Sequence, residues 1–530
     1  MKRILSVIPS SACRRRLIRS AIFALLIAAI APRAHAQPAN GIEPAQPLAD
    51  RVAMLARSLN YVWALLAGFL VMFMQSGFAL IETGMCRAKN AAHTMSMNMM
   101  VYALSMAGFF ACGFAFMCGG VNGVPGGPGG PSAIGLDHCR ALHNMLCIPI
   151  AGKSWGVLGL SGFFLLGHIQ DYAGAMVWFL YMMVFMDTAA TIPTGTLAER
   201  WRLKSFAAFS VVVGAIIYPV YGCWMWGGGW LSQLGLLGGL GHGAVDFAGS
   251  SVVHLQGGIM ALSLVLQIGP RIGKYDEQGN PRPIFGHHMP MVIFGTLLLA
   301  FCWFGFNAGS TLAGVSDRIG IIAVNTMLAG GFGVLSAATY LWYAFGKPDP
   351  SLMCNGMLGG LVAITAGCAF VSPPAAALIG VIAGLLTVLG VLQLEKRGID
   401  DPVGAIGVHA FSGLWGLIAV GIFADGTFGD GYNGVSGGVT GLLYGHHEFG
   451  QLLAQCIAGV VCVGWNFVAA GAVFLAIGRM YHTNRVSPQV EVAGLDVPEM
   501  GTPGYPEFVS RMAQEQITSD DISSARGQTY

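Results

Sequence analysis

The chain has 530 residues, of which 55% are hydrophobic and only 10% charged, and its formal net charge is +2. Soluble domains carry about 25% charged residues, so a soluble fold is excluded, and so small a net charge gives no reason to expect a nucleic-acid partner. Glycine contributes 77 residues, about twice its usual share. Small residues let helix backbones approach closely in lipid, where no hydrophobic drive pairs them. The composition predicts an all-α polytopic membrane protein.

Residues 1–36 read as a secretory signal peptide. "RRRLIRS" is basic, "AIFALLIAAIA" is a short apolar core, and "AHA" before Gln37 is a small-residue cleavage site. Eleven apolar stretches come after it, at 61–85, 95–119, 173–197, 205–225, 248–269, 289–311, 319–346, 354–371, 374–395, 405–424 and 450–478. They predict a transmembrane domain over 37–480 with eleven transmembrane helices. Lys and Arg gather in alternate loops, at Arg87, Lys89, Arg200, Arg202, Lys204, Arg271, Lys274, Arg282, Lys347, Lys396, Arg397, Arg479 and Arg485; the other loops hold Arg140, Lys153 and Arg318. The positive-inside rule then puts the mature N-terminus outside and the polar tail, 481–530, in the cytoplasm of a cell whose inner (plasma) membrane holds the protein. The segment 120–172 is external and opens with the glycine–proline coil "GGVNGVPGGPGGPS". Cys139 and Cys147 stand in "CRALHNMLC", and an oxidising compartment makes them candidates for a disulfide. No CxxC pair occurs, so no metal or dithiol site and no cofactor is expected.

"DFAGSSVVHLQGG" at 246–258 has a second copy, "DPVGAIGVHAFSG", at 401–413. Asp246 meets Asp401, Gly249 meets Gly404, His254 meets His409 and Gly258 meets Gly413. Five predicted spans separate equivalent points, and an odd step turns the second copy over. The fold class is therefore two inverted five-helix repeats plus an eleventh helix, an arrangement that places working sites at the repeat interface. Of 13 histidines, His254 and His409 alone lie deep in apolar spans, each about 12 Å from its aspartate at the helical rise. They enter from opposite faces and meet at mid-depth, where ionisable groups are costly and usually functional. Asp246 and Asp401 are read first as N-caps that satisfy free N–H groups, with direct substrate contact as the other reading; the charge of Asp246 also favours cations at the outer mouth. Asp187, two residues after Phe185, turns about 200° away from it on a helix and is expected to bond hydroxyls such as Thr188 or Thr191. Glu82 is read as structural, without a nameable partner.

"DFAGSSVVHLQGG", "WFGFNAGS", "WGGGW", "LAERW", "NGMLGGLVAITAGC" and "DDPVGAIGVHAFSGLWG" together resemble the ammonium transporter (Amt/Mep) family, collinearly from about residue 61 to 480. The resemblance implies a homotrimer with one pore per subunit and no enzymatic activity. It implies that Trp226, Ser310 and Phe185 form an ammonium recruitment site, that Phe185 and Phe306 gate the pore, and that Trp303, Thr365, His254 and His409 line it. Trp226 distinguishes this branch from the related Rh proteins. Ser250, Gly404 and Asp187 depart from the commonest pattern. The tail, with "AGLD" and Tyr505, is similar to the family's inner C-terminal segment, which implies contact with neighbouring subunits and with a PII signalling protein; Met500 and Thr502 depart from the usual residues there.

Physical chemistry leads the same way. Ammonium and potassium are nearly the same size, so a sieve cannot separate them. An aromatic face attracts either cation, but only ammonium donates directed hydrogen bonds to a hydroxyl. A low-dielectric passage disfavours the charged form, so the ion sheds its proton. The neutral molecule then crosses where a bare cation cannot enter cheaply, and imidazoles relay the proton. The expectation is electrogenic uptake of ammonium through a membrane that supplies only lipid contacts. The rival readings are an ammonium sensor of the same fold, for whose signalling domain the tail is short; a passive Rh-like ammonia or CO2 channel; and a redox protein with haem or copper on the two histidines, against which stands the lack of a CxxCH motif.

Overall fold

Ten helices in the computed structural model are long and apolar enough to cross a membrane, among the residues described, which are 47–124, 130–445 and 449–508. They are α1 (Leu48–Met85), α2 (Ala88–Cys118), α3 (Ala173–Thr196), α4 (Leu203–Trp226), α5 (Ser250–Ile268), α6 (Met289–Thr311), α7 (Ile319–Phe345), α9 (Pro373–Lys396), α10 (Ile406–Phe423) and α11 (Gly450–Met480). Between α7 and α9 lies α8 (Pro350–Ile364), only 15 residues long. At 1.5 Å per residue it falls short of the ~30 Å hydrocarbon core. The expected span at 354–371 is thus a short helix followed by turns, and length and composition alone do not reach a count of eleven. The expected signal peptide and the last residues of the tail lie outside the described residues. The described part of the N-terminal unit, which ends at Ala53, contributes only the opening turns of α1; the rest of α1 and every later element belong to the unit from Met54 on.

The helices divide by burial. In α3 and α5, 83% of the apolar window is buried, against 33% in α7 and 28% in α11. Large apolar side chains such as Val460, Val468 and Met327 stay exposed on the latter two, the composition expected of a lipid-facing surface. Buried polar residues are dense on the first two: Asp187, Thr188, Thr191, Thr194 and Thr196 in α3, and Ser250, Ser251, His254, Gln256 and Ser263 in α5.

Among the described residues four stretches are wound as π-helix: Phe109–Gly113 in α2, Val213–Ile217 in α4, Ser250–Leu255 at the start of α5 and Ile406–Phe411 at the start of α10. A π-turn carries an extra residue and re-aims the side chains around it, often at functional sites. Just before α5 the backbone is irregular, and irregular backbone between spans has to be satisfied by protein where lipid offers no partner. Here the Phe247 and Ala248 N–H groups donate to the Ala366 and Thr365 carbonyls, both at 3.1 Å, just beyond the end of α8.

The middle of the expected glycine–proline coil lies outside the described residues, and beyond it the external segment holds strands. β1 (Met145–Ile150) and β2 (Lys153–Gly159) form an antiparallel hairpin with a register shift at Leu146/Cys147. The hairpin docks through Gly156, whose N–H donates to Gln233 Oε1 at 2.8 Å and whose carbonyl accepts from Trp230 at 2.8 Å. The expected Cys139–Cys147 disulfide is not formed: both are free thiols. Cys139 is buried after a 3-10 turn, whereas Cys147 sits at the strand irregularity with its thiol toward the Met145 carbonyl at 3.7 Å.

Past α11 the chain returns beneath the helices as α12 (Pro488–Ala493) and α13 (Asp496–Met500). Glu491 accepts from Arg485 Nε at 2.9 Å and from the Ile272 N–H at 2.7 Å; Asp496 accepts from the His93 N–H at 2.8 Å; Tyr505 bonds His287 at 2.7 Å. Beside them Asp400 accepts from Arg271 N, Nε and Nη2 at 2.8, 2.9 and 2.9 Å, and Arg200 Nη1 and Nη2 hold the Ala198 and Asp400 carbonyls. Burial works to raise the Asp400 carboxyl, but the Arg271 hydrogen bonds and the charges of Arg200 and Arg271 outweigh it and hold it down to about 2.

Candidate functional site

Two motif copies set the geometry. Gly249 has φ 111° and Gly404 φ 73°, a left-handed conformation that suits glycine and starts each π-turn sharply. His254 and His409 fall inside those turns, about one turn after the glycine rather than at the end of eight helical residues. The depth of each histidine comes from a broken helix, which the spacing from its aspartate did not reveal.

Asp246 closes the first copy. Its carboxylate accepts from the N–H groups of Gly249 (2.8 Å), Ser250 (2.9 Å), Ser251 (2.7 Å) and Val252 (3.0 Å), and from Ser251 Oγ at 2.7 Å. Burial pushes this carboxyl up from its ordinary range and those donors pull it back. Asp401 accepts from the Ile406 N–H at 2.7 Å through Oδ2, while Oδ1 has no hydrogen-bond partner. The glycine four residues after each histidine abuts the other copy. A Cβ on Gly258 would strike the backbone of Ala410; one on Gly413 would come within 2.6 Å of the Ser250 carbonyl and 2.9 Å of Leu255 N.

The imidazoles consequently meet. His254 Nδ1 lies 3.2 Å from His409 Nδ1, and the rings are stacked with centroids 5.2 Å apart. Both are buried. On one side of the pair Trp303 stacks on His254 at 5.0 Å, its indole N–H donating to Thr365 Oγ1 at 2.9 Å. Phe306 comes next at 5.7 Å from His254, then Phe185 at 4.4 Å from Phe306, and Trp226 at 5.8 Å from Phe185. Phe185, Trp226 and Ser310 line a vestibule of about 480 Å³. Ser310 Oγ donates to the Phe306 carbonyl at 2.6 Å, with Tyr181 Oη 3.1 Å away. On the other side Phe78 lies 6.1 Å from His409, next to a cavity of about 20 Å³ lined by His409, Glu82 and Asn355 among others. The expected recruitment, gate and pore residues thus form one file from vestibule to small cavity.

Several residues of this file were not anticipated. Tyr181, whose ring is 4.7 Å from Phe185, stands four residues before it on α3, and Phe78 stands four residues before Glu82 on α1. Residues spaced by four share a helix face, a signal that was available. Trp178, three residues before Tyr181 on α3, shares that face and also lines the vestibule, as do Phe247, Phe428 and Tyr432, which carry no such signal. Asp187 is buried, but not on the expected hydroxyls. Thr188 back-bonds to the Val184 carbonyl at 3.0 Å and Thr191 donates to Asn98 at 3.0 Å, while Asp187 Oδ1 has no hydrogen-bond partner. Glu82 does have partners, Asn98 and Thr194. Among the described residues no group of three or more His, Cys, Asp or Glu is placed to hold a metal ion.

A multi-pass helical membrane protein with an aromatic vestibule leading to two buried, paired histidines is the class that this fold and site define. The profile of the Ammonium Transporter Family matches residues 62–505, and the chain belongs to that family. It is 47% identical over 455 residues to the ammonium transporter Amt2 of Archaeoglobus fulgidus, covering 85% of this chain and 89% of that one. It is 34% identical to ammonium transporter 1 member 3 of Solanum lycopersicum, over 86% and 94% of the two chains. Among solved structures it is similar to a sensor Amt protein (TM-score 0.70, 33% identity, 84% of this chain and 99% of that chain) and to Candida albicans Mep2 (TM-score 0.66, 25% identity, 81% and 86%).

Proposed function

We propose that this ammonium transporter takes up ammonium electrogenically by splitting it into ammonia and a proton. Trp226, Phe185 and Ser310 recruit the ion in the vestibule. Aromatic faces attract the cation, and the Ser310 hydroxyl has a second lone pair for an N–H donor. Deeper in, Phe185 and Phe306 form the gate, and the ion gives up its proton because the charged form is poorly solvated there. Ammonia then passes Trp303, Thr365, His254 and His409, while the imidazoles hand the proton along a separate route. Asp246 and Asp401 hold the histidine turns and add negative charge at either end. The observation that carries the reading is the 3.2 Å Nδ1–Nδ1 approach of His254 and His409 behind the two phenylalanines.

In the same reading the chain has eleven transmembrane helices in two inverted five-helix repeats plus one, α8 counting as a span with its following turns. It works as a homotrimer in the inner (plasma) membrane, cleaved after residue 36, with the vestibule outside and the tail in the cytoplasm, where a PII protein docks. The test is a current measurement on proteoliposomes fused to a solid-supported membrane. Ammonium and methylammonium pulses evoke current in the wild type and potassium does not. Replacing both histidines by alanine lowers the current about 10²-fold, the usual scale of positioned acid–base groups. An unchanged current in that variant would falsify the proton relay.

A further inference from the structure

We infer that Glu82 is the proton acceptor at the small-cavity end of the pore and the group that returns the proton to ammonia. The inference rests on the histidine relay proposed above. Glu82 lies in α1, 3% exposed, and no ion pair found among the described residues includes it. A carboxyl with no cationic partner inside an apolar span is expensive and marks function by default.

Its surroundings suit both protonation states. Asn98 Nδ2 donates to Oε2 at 2.6 Å, and Thr194 Oγ1 lies 2.8 Å from each carboxyl oxygen. The Thr194 hydroxyl also lies 2.5 Å from the Thr191 carbonyl, yet it has one hydrogen to give. When Glu82 is ionised, Thr194 donates to it. Once Glu82 is protonated, Thr194 turns its hydrogen to the Thr191 carbonyl and accepts from the acid. A fixed structural carboxylate has no need of a hydroxyl with two alternative acceptors; a group that gains and loses a proton does. Gly195 lets the carboxyl approach, since a Cβ there would sit 3.0 Å from Glu82 Oε1.

Glu82 also reaches the path. It shares with His409 and Asn355 the cavity of about 20 Å³, and one water needs about 10–15 Å³ and two to four polar partners. His409 engages His254 through Nδ1, which leaves Nε2 for the cavity. The other acid near Glu82 is Asp401; its Oδ2 accepts from the Ile406 N–H and it is not among the residues that line this cavity. The step balances. Ammonium protonates His254 at its unpartnered Nε2 while the His254 Nδ1–H bond breaks and a His409 Nδ1–H bond forms; the His409 Nε2–H bond then breaks, its proton passes to the cavity water, and that water delivers a proton to a Glu82 oxygen. Ammonia arriving past His409 then takes it: the Glu82 O–H bond breaks, an N–H bond forms, and ammonium leaves a carboxylate ready for the next proton.

The test compares wild type, Glu82→Gln, Glu82→Asp and the His254→Ala/His409→Ala double variant in proteoliposomes, reading ammonium-evoked current and, with entrapped pyranine, lumenal pH. Glu82→Gln is expected to lose about tenfold or more of the current while neutral ammonia still enters and alkalinises the lumen, and Glu82→Asp to regain part of the current. Wild-type current in Glu82→Gln, with current lost in the double-histidine variant, overturns the role of Glu82 and leaves the relay standing. Current kept in both overturns the relay itself. If Glu82→Gln does not fold, infrared difference spectra of the wild type on ammonium addition decide: a carboxylic-acid band that shifts in Glu82→Asp supports the assignment, and no such band overturns it.

Discussion

The turn that carries His254 and the turn that carries His409 share an aspartate, a left-handed glycine and a π-helical start, yet they are anchored differently. Asp246 gathers five donors from its own turn, a self-contained cap. Asp401 takes the Ile406 N–H and leaves one oxygen unbonded, while its neighbour Asp400 is clamped by Arg271 and Arg200. One turn is held by local hydrogen bonds, the other by ion pairs to distant segments. The motif repeats where the histidines must match and diverges where each turn meets its own surroundings.

The comparison breaks most visibly at Asp400. Asp400→Ala leaves the buried Arg271 without its two-pronged partner, a loss of about 3–5 kcal/mol to be read from thermal unfolding in detergent. Because this carboxyl is held to about 2, below the usual ~3.9, its contribution is complete above about pH 4 and disappears as pH falls toward 2. The difference between wild type and Asp400→Asn should close over that window; a difference that instead closes near neutrality would rule out the clamp.

Asp246→Ala comes next. Several buried N–H groups lose a charged acceptor together, costing about 3 kcal/mol, whereas Asp401→Ala costs about 1 kcal/mol as an ordinary cap. Equal losses in the same unfolding assay would mean that the two turns are held alike. The glycines act on the scale of the Asp401 cap. Alanine at either position is forced into a left-handed backbone, at a cost of about 1–2 kcal/mol. The two variants separate in transport: a Cβ at Gly249 would sit 3.3 Å from the Trp226 ring, so Gly249→Ala should raise the half-saturating ammonium concentration. Gly404→Ala, which presses on Asn355 instead, should leave it in place.

Much of this was legible in the residues. The apolar runs predict most helices to within a few positions, and the two Asp–Gly–His copies predict that the histidines meet. The π-turns were not legible, because an extra residue in one turn leaves no periodic trace, and they change how the histidines reach their depth. Glycines and prolines around 120–135 suggested coil and hid the hairpin beyond them. Glu82 was left without a partner because Asn98 and Thr194 come from two other helices, a relation that no local pattern encodes. Asp187 failed differently: nearby threonines looked available, but each satisfies a partner of its own.

Gly258 and Gly413 have a final consequence. Because bare backbone from each copy rests on backbone of the other, the spacing of the two imidazoles is set by the main chain and not by side-chain rotation. On the proposed path that waist is a rigid nozzle. Widening it means prying two helices apart at once, so the adjustable part of the proposed path is the aromatic doorway.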